Sequence, residues 1–140
     1  MTEPCDLSAV AARALIGAKK LSARELLDSC IRRMDAIDPA VNAMVARDDD
    51  KARKDAGAAD EATARGEALG ALHGLPIGIK DLENTAGLRT TYGSPLFADH
   101  VPKQDQLIVA SVRKAGAVIV GKTNTPEWGA GANTRNAVYG

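Results

Sequence analysis

The feature that most constrains the fold is the run Gly116-Ala117-Val118-Ile119-Val120-Gly121, four apolar residues held between two glycines. A strand with one wet face alternates apolar and polar residues. An unbroken run instead reads as a strand buried on both faces, the habit of parallel sheets. Just before it, Leu107, Ile108, Ser111, Val112 and Ala115 recur at helical spacing over residues 105–115. A helix leading into a buried strand predicts an α/β architecture, a sheet covered by helices. Residues 75–80, Leu-Pro-Ile-Gly-Ile-Lys, read as a second short strand, joined to that helix by a connection rich in Gly and Thr.

The first half reads as helical and short of large side chains. Of the 63 apolar residues among 140, 26 are Ala and only four are aromatic, which favours close packing of helices through alanine. Asp6 is placed to cap a helix over Leu7, Val10, Ala11, Ala14 and Leu15 that ends near Gly17 and the Lys19–Lys20 pair. Ser22 with Glu25 forms a capping box. Leu26, Leu27, Cys30, Ile31, Met34 and Ile37 then make one apolar stripe. Asp38-Pro39 is expected to stop that helix, with a short extended piece over residues 41–46. Residues 48–66 carry acids in the first turn, where a helix N-terminus favours them. They hold no large apolar side chain, which predicts a solvated helix held by alanine on one side and ended by Gly66.

Eighteen basic residues balance eighteen acidic ones. Binding that depends on neutralising phosphates needs a basic excess, so no nucleic-acid partner is expected. Cys5 and Cys30 lack CxxC spacing, and His73 and His100 lie 27 residues apart, so neither a disulfide scaffold nor a metal site is expected. No apolar run approaches the roughly 18 residues of a membrane span, and no leader pattern opens the chain. A soluble cytoplasmic protein without a membrane partner is the expectation. Gly116 to Thr123 also matches the phosphate-loop pattern GxxxxGK[ST] letter for letter. That pattern works only when its middle residues form a loop of N–H groups leading into a helix. Here they are the best strand in the chain and Asn124-Thr125-Pro126 follows, so the match is discarded.

The segment with legible chemistry is Leu72-His73-Gly74-Leu75-Pro76-Ile77-Gly78-Ile79-Lys80-Asp81. In a strand, Ile77 and Ile79 share one face while Pro76, Gly78 and Lys80 share the other. Gly78 leaves space beside the Lys80 ammonium. A lysine drawn into an apolar strand loses hydration, which lowers its pKa and makes a neutral base available. The plainer reading is a strand-end lysine with its ammonium in water, paired with Asp81 or Glu83, since lysines are rarely buried.

From Gly70 to Gly140 the chain resembles the amidase signature family of serine amidohydrolases. The resemblance is carried by Gly74-Leu-Pro-Ile-Gly-Ile-Lys80-Asp81, Thr85-Ala-Gly87, Thr90-Thr91-Tyr-Gly93-Ser94, Gly116 to Asn124, and Pro126-Glu127-Trp128, in that order and spacing. It implies an α/β fold of helices on a mixed β-sheet left incomplete by these residues. Residues 1–69 would be a mainly helical lead-in, and residues 70–140 the start of the amidase core. It also implies hydrolysis of a carboxamide by a Ser–Ser–Lys triad, with Lys80 as the base. Lys80 would draw a proton from a bridging serine held by a cis peptide bond, which activates the nucleophilic serine to form an acyl-enzyme. Trp128, Gly129, Ala130 and Gly131 match a stretch that passes beside the acyl pocket. Trp128 reads equally as a pocket wall or as core. No metal or organic cofactor is implied.

The family carries its bridging serine in a Gly-Gly-Ser-Ser-Gly-Gly block, and its nucleophile further on. Of Ser8, Ser22, Ser29, Ser94 and Ser111, none lies in such a block, and Ser94 reads as a turn residue before Pro95. The expectation is the N-terminal portion of an amidase, inactive alone, taking a small-molecule amide within the whole enzyme. Thr125 to Gly131 stands where the glutaminase subunits of tRNA-dependent amidotransferases carry Met-Asp-Glu-Phe-Ala-Met-Gly, which favours a general amidase. The alternative is a non-catalytic remnant or interaction module. Strands cut from a larger sheet expose edges and apolar faces, so the chain alone is expected to be oligomeric, aggregation-prone or incompletely packed.

Overall fold

The computed structural model describes residues 3–140, so Met1 and Thr2 of the helical lead-in lie outside the described residues. Seven regular elements follow in order: α1 Ala9–Gly17, α2 Ala23–Val41, β1 Met44–Arg47, α3 Asp49–Arg65, β2 Pro76–Lys80, α4 Leu107–Lys114 and β3 Val118–Thr123. The sheet order is β1-β3-β2, with β3 antiparallel to β1 and parallel to β2. The Ala-Val-Ile-Val run thus supplies the central strand. Val118 and Val120 pack with Leu27 and Ile31 of α2 and Ala52, Ala56 and Ala59 of α3. Ile119 faces the other way, onto Ile79, Leu88 and Val109. A small open sheet between helical layers is the α/β arrangement expected from the run.

Helix α2 starts on the predicted capping box, with Ser22 Oγ accepting from the Glu25 N–H at 3.0 Å and Glu25 from the Ser22 N–H at 2.9 Å. Asp60 of α3 accepts from the Ala23 and Arg24 N–H groups, so α3 caps α2 from outside and satisfies further orphan donors. Helix α3 buries Ala52, Ala56 and Ala59, starts on Asp48 and ends on left-handed Gly66.

Three local expectations fail. Helix α1 is capped by Ser8, whose Oγ accepts from Ala11 N–H, while Asp6 pairs with Arg33 at 2.9 Å. Its buried residues are consequently Ala12 and Ile16, and Val10 is 81% exposed. Helix α2 continues through Pro39 to Val41. A proline in the last turn removes a single helical bond, and Asp38 Oδ1 collects the Ala43 and Met44 N–H groups where the chain turns at left-handed Asn42. In α4 the buried residue is Val109, with Leu107 and Ile108 exposed, because Ile79, Leu88 and Ile119 lie on the Val109 side.

Candidate active site

Parallel pairing brings the C-terminal ends of β2 and β3 to one edge, the side where open α/β sheets bind ligands. Lys80 ends β2 and is exposed. Gly78 on the same face does not leave a void: a Cβ there would lie 2.8 Å from Thr123 Cγ2, with Met44 Sδ beyond at 3.6 Å. Gly78 itself is exposed, and glycine is what lets the Thr123 methyl lie against the strand beside Lys80.

The main chain behind Lys80 is fixed by a relay. Asp81 N–H donates to the Thr123 carbonyl at 2.9 Å, Tyr92 N–H to the Asp81 carbonyl at 3.0 Å, and Trp128 N–H to the Tyr92 carbonyl at 2.7 Å. The Asp81 carboxylate is fully buried and accepts from both the N–H and the Oγ1 of Thr91, closing the neck of loop 81–91. This relay joins Lys80's strand end to the predicted Trp128–Gly131 stretch. A Cβ on Gly129 would meet Leu82 Cδ1 at 2.7 Å, so the Leu82 side chain lies close against the Gly129 main chain.

Trp128 is 53% exposed, so it is not core. Its ring stacks on Tyr92 with centroids 5.1 Å apart and planes 8° off parallel, and Phe97 meets both rings edge-on. Tyr92 and Trp128 both hold left-handed backbone, φ 55° and 54°. Bulky residues avoid that region, which costs on the order of 1–3 kcal/mol each and persists where surroundings impose it, commonly at functional sites. Ala130 and Gly131 are exposed and Gly129 half-buried.

The burial expected for Lys80 falls on Lys122. Lys122 is fully buried, and desolvation lowers its pKa to about 8 against the opposing pull of Asp81, Glu83 and Asp105. Its ammonium donates to the Glu83 carbonyl, to Thr85 Oγ1 at 2.9 Å and to Thr90 Oγ1 at 3.0 Å. The phosphate-loop match is indeed strand, but its lysine is not inert. The sequence cue is a lysine one residue past a buried run, with threonines in the preceding loop. Its direction is set by a β-bulge: Ile77 pairs with Ile119 and Gly78 with Gly121, leaving Val120 as the extra residue. The bulge shifts parity, so Lys122 shares the face of Ile79, where loop 81–91 lies.

Four of the five serines serve local structure. Ser8 and Ser22 cap helices, Ser29 accepts from Cys5 N–H, and Ser111 donates to the Leu107 carbonyl. Ser94 is fully buried at the start of the Pro95–Phe97 turn, as expected from Pro95. Asn124 fixes the turn after β3, accepting from Thr125 N–H at 2.9 Å.

Residues 25–140 match the amidase family. The chain belongs to the amidase family. This amidase chain is 40% identical over 134 residues to an acylamidase of Rhodococcus erythropolis, an alignment covering 96% of the chain and 28% of the relative. It is 41% identical over 140 residues to a glutamyl-tRNA(Gln) amidotransferase subunit of Acidothermus cellulolyticus, covering all of the chain and 28% of the relative. Among solved structures it is similar to a bacterial aryl acylamidase of the amidase signature family, at TM-score 0.88 and 29% identity over 96% of the chain and 28% of that structure. The amidase chain thus spans 28% of the length of these curated relatives. Its four helices and open, mixed three-stranded sheet are part of the amidase signature α/β fold.

Proposed function

We propose that these residues form the N-terminal portion of an amidase that hydrolyses a carboxamide C–N bond to acid plus amine or ammonia through a serine acyl-enzyme. Residues 1–69 are its helical lead-in and 70–140 the start of its catalytic core. Lys80 is the base. As base it takes the proton of the bridging serine, which activates the nucleophilic serine. The serines it serves are not among the five present: Ser8, Ser22, Ser29 and Ser111 hold hydrogen bonds of the scaffold, Ser94 is fully buried in the turn before Pro95, and none lies in a Gly-Gly-Ser-Ser-Gly-Gly block. The 140 residues alone therefore hydrolyse nothing. Trp128, Gly129, Ala130 and Gly131 border the acyl pocket, and no metal or organic cofactor takes part. The enzyme works in the cytoplasm on a small-molecule amide, without nucleic acid or membrane, and the chain forms homo-oligomers.

The observation that carries this reading is the hydrogen-bonded relay from Asp81 through Tyr92 to Trp128, which sets the exposed Lys80 strand end beside a strained aromatic loop. A second reading, the glutaminase component of a tRNA-dependent amidotransferase, is supported by the 41% identity to such a protein over all 140 residues. The test assays the protein as its gene encodes it on acyl anilides, primary amides and glutamine. Anilide or primary-amide hydrolysis abolished by Lys80→Ala supports the general amidase. Activity on glutamine alone supports the second reading. A fully folded protein inactive on all three supports the non-catalytic remnant.

A further inference from the structure

A methionine would fill the Lys122 site without the loss of hydration that a buried ammonium suffers. What the ammonium adds is three directed donors, and all three acceptors belong to one short segment, the Glu83 carbonyl, Thr85 Oγ1 and Thr90 Oγ1. Glu83 is the telling one. Its carbonyl accepts from Lys122, and its N–H donates to the Lys80 carbonyl at 3.0 Å. One peptide away from the Lys122 contact, the chain is bonded to the residue that ends β2.

We propose that Lys122 is a positioning residue for Lys80, acting through Glu83 to hold the turn that fixes where the chain leaves β2; this rests on the amidase reading of Lys80. The two lysines occupy opposite faces of the sheet. Lys80 pairs with Thr123 in the β2–β3 register, and Lys122 pairs with Ile79. Lys122 therefore acts on the main chain beneath Lys80 and leaves the Lys80 side chain free. The Val120 bulge turns Lys122 into the loop, a use to which bulges beside active sites are put. Asp105 and Gln106 hold the outer side of the same loop, through Ala86 N–H and the Asn84 main chain. The inner side depends on Lys122.

The test uses the protein as its gene encodes it. Lys122→Met keeps the stem and removes the donors. The expected result is kcat on the amide substrate lowered about 10- to 100-fold, the scale of a small misplacement at a reacting group. KM stays within about threefold, since ground-state binding is untouched. Lys122→Cys in a Cys5→Ala, Cys30→Ala background, converted to a thia-lysine with 2-bromoethylamine in the unfolded state and refolded, restores kcat. Hydrogen exchange at the Glu83 amide reads the same tie without activity and speeds at least about tenfold in Lys122→Met. Wild-type kcat and Glu83 exchange in folded Lys122→Met overturn the proposal. If Lys122→Met does not fold, Thr90→Val removes one acceptor and is read the same way: faster Glu83 exchange supports the tie and unchanged exchange overturns it. Hydrolysis that survives Lys80→Ala overturns the amidase reading separately, and Glu83 exchange then decides whether Lys122 holds the turn.

Discussion

The N–H of Glu83 donates to the carbonyl of Lys80 at 3.0 Å, closing a tight turn immediately behind the strand end that presents the Lys80 side chain. This bond makes the position of Lys80 a property of the 81–91 loop as much as of the sheet. The loop is closed at its neck by Asp81 and filled by Lys122, so these residues are where perturbation is most informative.

Asp81 is fully buried with its carboxylate on Thr91 N–H and Oγ1. Asp81→Ala leaves those donors unsatisfied, which costs about 1–3 kcal/mol. Native-state hydrogen exchange of Thr91 and Tyr92 amides is expected to speed accordingly, with α2 and α3 amides little changed. Equal protection in wild type and Asp81→Ala contradicts the role given to the neck.

Lys122 makes stability depend on alkaline pH in a definite direction. Its folded pKa of about 8 lies below the ordinary 10.5. Between those values the unfolded chain binds the extra proton, so raising the pH favours the folded state. Below pH 8 both states carry the proton and the burial penalty is present in full. The stability of wild type relative to Lys122→Met, from urea unfolding, is therefore expected to be flat up to about pH 8 and to rise toward pH 10. A difference that stays level or falls across that window contradicts the burial of the ammonium.

Gly121 sits where β1 and β3 approach: an added Cβ would lie 2.4 Å from the Ala46 carbonyl oxygen. Main chain cannot swing aside as a side-chain tip does, so Gly121→Ala is expected to pry β1 from the sheet. A loss of about 1–3 kcal/mol, the usual scale of overpacking, is the prediction. Calorimetry or urea unfolding checks it, and a neutral effect would mean that β1 is not seated on β3.

Leu107 at 83%, Ile108 at 55%, Leu96 at 85% and Val101 at 51% exposure leave apolar surface open. The 140-residue chain is expected to self-associate at micromolar concentration. Sedimentation checks this, with Leu107→Lys and Ile108→Lys together shifting the mass toward monomer. A monomeric wild type with a sharp cooperative melt is the contrary result.

Where local chemistry decides structure, the sequence is legible. The Ser22–Glu25 box, the alanine face of α3, its Asp48 and Gly66 ends, the strand at 76–80 and the apolar run of β3 follow from capping and periodicity, whereas the continuation of β3 past Gly121 to Thr123 does not. Reading falters where the outcome depends on a distant partner. Pro39 stays helical because Asp38 gathers the next N–H groups, and α4 buries Val109 because Ile79 and Leu88 lie there. Lys122 is hidden for the same reason. Its acceptors lie 32 to 39 residues away, and only the Val120 bulge turns it toward them. The motif marks Lys80, but its exposure in this chain depends on what packs over the strand end and is not written in the motif.

The central claim is that Lys80 serves as the base of an amide hydrolase. The measurement is kcat/KM for an amide substrate, in the protein as its gene encodes it, for wild type and Lys80→Ala. Lys80 is exposed, so the variant is expected to fold as wild type and to lose at least about a thousandfold in kcat/KM, the scale seen when a member of a catalytic unit is removed. A folded Lys80→Ala protein that hydrolyses the amide at the wild-type rate contradicts the account.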